Sequence, residues 1–196
     1  MNPPDKQNKR AAALRATLEL ISEQVFHATP MSQIAQRAQI GVGTIYRHFP
    51  SKEALINALY VEIKTNLLRT YFEPFQASPS VPEDLKAILC QVVRYSLEHP
   101  TELLFVEQYE NSPLITAATR DEVARLIAPF YELVLRAREE NLLKELPFEM
   151  LVALIFGAIM ALVKRALSGE VRLDEASTSV AIDAIWDMVA QRSNEK

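Results

Sequence analysis

Apolar residues recur at three- and four-residue intervals along most of this chain, so the pattern predicts helices. Leu14, Leu18, Ile21 and Val25 make one stripe of a first helix from about Lys6 to Phe26. Met31, Ile34 and Ala35 supply the inward face of a short helix, with Thr29 as its cap and Pro30 next, its φ already set for a helix. Val42, Ile45 and Phe49 fall at i, i+3 and i+7 of another, which Pro50 ends. Ser51 then caps a long helix reaching about Phe72, with Ile56, Tyr60, Ile63, Leu67 and Tyr71 along one face.

Punctuation orders the rest. Pro74 and the polar stretch Gln76 to Pro82 mark a linker, and Pro82-Glu83-Asp84 opens a helix that runs to His99. A short helix is expected from Pro100 to Asn111, then a long one from Pro113 kinked at Pro129. Pro147 precedes an apolar helix over 148–168, and Asp174 caps the last, over 176–190. The fold class is therefore all-α, with about nine helices.

Composition sharpens this reading. With 196 residues and 49% apolar content, the chain has enough for one small domain and one of ordinary size. Only 4 glycines and a single cysteine, Cys90, suit helices and a reducing cytoplasm rather than a disulfide scaffold. Arg15 and Glu19 interrupt the N-terminal apolar stretch, so no signal peptide is expected. The longest apolar run, Leu151 to Val163, has 13 residues, whereas a bilayer takes about 20, so a buried helix and no membrane partner are expected. Net charge is −4, yet residues 1–60 hold seven Lys or Arg against four Asp or Glu, a local +3. The acidic balance is confined to the remainder.

The short helix at 42–49 carries the candidate chemistry. Its apolar stripe leaves Gly43, Thr44 and Arg47 on the opposite side, with Tyr46 and His48 on the flanks. The N-terminus of the following helix, beside Lys52, offers free N–H groups suited to a phosphate. Singly, each of these residues is equally at home on a wet surface or filling a gap between helices. Together, Ile34-Ala35, Ala38, Gly43-Thr44-Ile45-Tyr46-Arg47-His48-Phe49 and Ser51-Lys52-Glu53-Ala54-Leu55 closely resemble the DNA-binding signature of the TetR family of bacterial one-component repressors. The resemblance covers roughly residues 10 to 60 and departs in the turn, where Gln39 and Gly41 replace the usual glycine and serine.

The resemblance implies a helix-turn-helix domain over residues 1–51 and a regulatory, dimerising domain over 52–196. It implies that Thr44, Tyr46, His48 and Lys52 contact phosphates, that Gly43 permits close approach, that Arg47 reads a base edge, and that Gln33 adds a contact. An outward arginine matches guanine O6 and N7. The partners implied are a double-stranded palindromic operator, a second copy of the chain and a small lipophilic or aromatic effector, with no cofactor or metal. Repression, relieved by the effector, is the expected role, with activation as the alternative and, further off, a helical enzyme or an interaction module that does not bind DNA.

Family members dimerise through their last two helices, which assigns Leu151, Ile155, Ile159, Ile182, Ile185, Trp186 and Val189 to the interface, with a purely intramolecular core as the alternative. The effector cavity is expected among Tyr60 and Lys64, Leu89 and Arg94, Phe105 and Tyr109, Phe130 and Phe156. These side chains serve equally as ordinary core, or as solvated surface for Lys64 and Arg94. Glu107 and Glu110 either favour a cationic ligand or form a wet helix face, and Glu107-Gln108-Tyr109 with Asn111-Ser112-Pro113 resembles a subset of the family. An enzyme is disfavoured: GxSxG, HExxH, a phosphate loop and metal-spaced Cys/His clusters are all missing.

Overall fold

The structure is a computed structural model and describes residues 6–23, 29–72, 78 and 80–191. Val25, Phe26, Pro74 and, within the expected linker, Gln76, Ala77 and Pro79 lie outside the described residues. Ten helices appear among them: α1 (Lys6–Glu23), α2 (Met31–Arg37), α3 (Val42–His48), α4 (Lys52–Phe72), α5 (Val81–Glu98), α6 (Pro100–Tyr109), α7 (Ala117–Leu126), α8 (Ala128–Glu139), α9 (Phe148–Leu167) and α10 (Glu175–Val189). The all-α expectation holds. The additional helix arises because the segment expected to be one kinked helix is two. Residues 113–116 stay outside α7, which Thr116 opens by accepting the Thr119 N–H on Oγ1 at 3.2 Å. The break falls at Ile127, and Pro129 sits in the first turn of α8, where its missing N–H leaves no bond unmade.

The chain divides into two compact units, one of residues 1–66 and 101–125, the other of 67–100 and 126–196. In the first, Leu14, Leu20, Ile34, Ile45, Phe49, Leu55 and Ile56 are almost fully buried and form the centre of a core that also takes in Phe105, Val106 and Ile115. Leu18 is only partly buried, and the inner side of α1 is carried by Ala13, Leu14, Ala16, Thr17, Leu20 and Ile21. Burying small residues there brings helices close.

In the second unit α5, α8, α9 and α10 pack around Leu85, Leu89, Phe130, Val134, Ile159 and Ile182. Helix α5 begins at Ser80, whose hydroxyl accepts the Glu83 N–H, and the buried Asp84 carboxylate accepts the Ser78 N–H. Asp174 and Ser177 form a reciprocal capping box at α10. Gly169, at φ +79, closes α9 with the left-handed residue that such a helix end favours. By length and composition α9 is the one described helix able to cross a bilayer, but Leu151, Ile155, Ile159 and Val163 line one face buried within the unit. Its other faces are only partly covered or exposed within this one chain.

Candidate nucleic-acid interface

Helices α1, α2 and α3 pack on one another, and the α2–α3 turn sets the direction of α3. The N-cap of α2 is Pro30, one residue later than expected, and Thr29 is fully buried. In the turn the left-handed residue is Gln39, at φ 54, while Gly41 takes an ordinary extended φ of −68 as the N-cap of α3. Glutamine thus holds the conformation that glycine adopts most easily. The Ile40 N–H still reaches the Ala35 carbonyl at 3.0 Å, so the helix end closes normally.

On α3, Ile45 and Phe49 face the core as expected, but Val42 is 44% exposed. Val42 is the first residue of α3, and the packing that buries Ile45 and Phe49 does not reach back to cover it. The exposed surface is a patch of Val42, Gly43, Tyr46 and Arg47, positions i, i+1, i+4 and i+5. Thr44 and His48 are half-buried at its edge, as is Gln33 on α2. Space around Gly43 is open: a Cβ there would meet nothing within 4 Å.

Beyond the Pro50 turn, Ser51 Oγ accepts the Ala54 N–H at 3.1 Å and caps α4, so Lys52 occupies its first turn. Partial burial holds the Lys52 ammonium below the usual lysine range, with Glu53 opposing the shift. A cation that has already lost part of its water has less to lose on meeting a phosphate. Two other basic residues of this segment, Arg37 and Arg10, are engaged internally. Arg37 makes a paired contact to Glu23, at 2.9 and 2.8 Å, and Arg10 reaches Glu62 at 2.7 Å with its guanidinium 5.7 Å from the Phe49 ring centre. Arg47 therefore carries a larger share of the exposed positive charge than the raw count suggests.

The residues expected to form one effector cavity fall in different units. Tyr60, Lys64, Phe105 and Tyr109 belong to the first; Leu89, Arg94, Phe130 and Phe156 belong to the second. In the first, Lys64 pairs with Glu110 at 2.9 Å and lies 5.6 Å from the Tyr60 ring centre, while Phe105 stacks on Tyr109 at 4.8 Å. Burial pushes the Tyr60 hydroxyl well above the usual tyrosine range, with Glu110 adding to it, and raises the Tyr109 hydroxyl as well. In the second, Arg94 is exposed, and Leu89 and Phe130 line an apolar crevice with Leu85 and Trp186 that encloses only about 20 Å³. Cys90 is half-buried, and burial raises its thiol above the ordinary range.

The interface residues need correction as well. Leu151, Ile155, Ile159, Ile182, Ile185 and Val189 are at most 9% exposed and belong to the core of the second unit, and Trp186 is half-buried. The outward apolar positions include Met150, Ala153, Leu154, Gly157, Ala161 and Leu167 on α9, and Val180 and Ala184 on α10. Both helices carry two apolar stripes, and periodicity alone does not say which stripe meets its own core. Sequence reasoning also missed Asn57, whose side chain bonds three backbone groups of α4 and the α6–α7 turn. A polar residue on a helix gives no periodic signal.

Comparison with known proteins agrees with this architecture. A family model described as "Bacterial regulatory proteins, tetR family" matches residues 13–59, and one described as "Tetracyclin repressor-like, C-terminal domain" matches residues 83–190. The chain belongs to the TetR family. A TetR family transcription regulator from Marinobacter aquaeolei VT8 superposes with a TM-score of 0.89 at 26% identity, covering 95% of this chain and 97% of the other. Over 72 residues the chain is 38% identical to the HTH-type transcriptional regulator UidR of Escherichia coli K12, which is 37% of each protein. It is 30% identical over 130 residues to the HTH-type transcriptional repressor KstR of Rhodococcus jostii RHA1, spanning 62% of this chain and 57% of that protein. The family and these relatives are DNA-binding transcriptional regulators rather than enzymes.

Proposed function

We propose that the protein is a cytoplasmic homodimeric repressor that binds a palindromic operator through α3 and releases it on binding a small lipophilic or aromatic effector. The observation that carries the reading is the exposed patch on α3 beside the capped first turn of α4. Arg47 stands in the open on a helix narrow enough for a major groove, and Lys52 occupies a helix N-terminus suited to phosphate. Residues 1–51 form the DNA-binding part in this reading, and 52–196 the regulatory and dimerising part. Gln33, Gly43, Thr44, Tyr46 and His48 complete the DNA face. Two dimer-related copies of α3 would address successive major grooves.

The outward stripes of α9 and α10 support a second copy as partner. Met150 is 48% exposed, Leu154 37% and Val180 69%, and Gly157 leaves open space for a close approach. Contiguous apolar helix faces of this kind are covered in stable proteins. For the effector, the crevice lined by Leu85, Leu89, Phe130 and Trp186 supports a lipophilic molecule. Drug-sized ligands occupy roughly 300–1,000 Å³, so binding requires α5, α8, α9 and α10 to separate. That opening is the event that a DNA-competent form would resist.

The decisive experiment is selection of duplexes from fragmented genomic DNA, followed by affinity measurements at two salt concentrations. A specific duplex whose binding falls steeply with salt supports the reading. Absence of any enriched duplex refutes it. Release of that duplex by compounds from a lipophilic panel then tests the effector.

A further inference from the structure

We propose that Val42 reads the 5-methyl group of a thymine in each operator half-site, an inference that rests on the DNA-binding reading above. Val42 is the first residue of α3 and is 44% exposed, while Ile45 and Phe49, at 0% and 2%, take the whole core side. Core packing therefore does not account for the valine. Helix propensity does not either, since a β-branched residue in an exposed turn is a modest helix former.

Its neighbours define what it can touch. Gly43 adds no side chain and meets nothing within 4 Å, so the approach to Val42 from that side is open. Tyr46, 50% exposed, lies one turn on and continues the same apolar strip, and Arg47 follows beside it. A recognition helix in the major groove leads with its N-terminal residues, which come nearest the base edges. An isopropyl group there can neither donate to nor accept from a phosphate or a polar base edge. The thymine methyl is the one apolar group that a base pair displays in that groove, and contact with it is a recognised mode of reading.

The test uses duplexes enriched by the full-length protein from a random pool. Each thymine of a half-site is replaced in turn by deoxyuridine, which lacks only the methyl. At one position the parent is expected to lose about fourfold per half-site, the effect of withdrawing one buried methyl. Val42→Ala, matched to the parent in melting temperature, is expected to bind the thymine and uracil duplexes equally. The proposal is overturned if every uracil duplex binds within about twofold of the original, if Val42→Ala keeps the parent's preference, or if the enriched half-site contains no thymine. A pool that yields no enriched duplex removes the DNA-binding reading itself, and this inference with it.

Discussion

Asn57, on α4, joins the backbone at Leu114 across the turn between α6 and α7: its amide donates to the Leu114 carbonyl at 2.8 Å. The same amide nitrogen donates to the Glu53 carbonyl at 2.7 Å, and Oδ1 accepts the Thr116 N–H at 2.9 Å. One side chain, 9% exposed, thus fixes the start of α7 to the second turn of α4, close in sequence to Lys52. The Arg120 guanidinium, donating to the carbonyls of Glu110 and Ser112, closes the same turn from its other end.

Replacing Asn57 by leucine would leave the part-buried Leu114 carbonyl and Thr116 N–H without that partner. The expected loss is about 1–2 kcal/mol of folding stability, read from the urea midpoint. Hydrogen exchange at the Thr116 amide should accelerate by more than the global loss explains. Unchanged exchange at that amide would show the clamp to be energetically silent.

On the DNA face the two cations should differ in kind. Arg47→Ala is expected to relax preference at one base position by about 1–3 kcal/mol, while Lys52→Ala weakens all sequences alike and lowers the salt slope by about 1. Binding of a selected duplex and its single-base variants across a salt series separates the two. Equal effects on every sequence for both variants would make Arg47 a phosphate contact.

Leu154 and Ile185 distinguish interface from core. Leu154→Asp places a charge on the exposed stripe of α9 and should yield a folded monomer by sedimentation. Ile185→Asp buries the charge in the unit's own core and should cost on the order of 4 kcal/mol, unfolding the protein before any dimer can be assessed. A dimer that survives Leu154→Asp would move the interface elsewhere.

Gln39 offers a conformational test of the turn. A left-handed residue with a side chain is strained by about 1–2 kcal/mol, and glycine relieves this but loses roughly 0.5–1 kcal/mol to unfolded-chain entropy. Gln39→Gly should therefore be neutral or stabilise by up to about 1.5 kcal/mol, and Gln39→Ile should destabilise by about 1–2 kcal/mol. Thermal denaturation of both variants reads the difference. Equal melting temperatures would mean that the turn relaxes without strain.

The order and type of elements were set by the sequence alone. Helical periodicity, proline punctuation and capping residues such as Ser51 and Asp174 act within one or two turns, so they need no tertiary information. The outward residues Tyr46 and Arg47 were legible for the same reason, because Ile45 marks the inner side of so short a helix. Tertiary packing decided the rest. Which apolar stripe of α9 faces its own core, how the expected cavity residues divide between two units, and how Asn57 spans 57 positions to Leu114 depend on segments distant along the chain. Val42 shows the boundary between the two: its spacing from Ile45 and Phe49 predicts burial, but whether anything packs over the first turn of α3 is a tertiary matter, and the fold leaves that turn open.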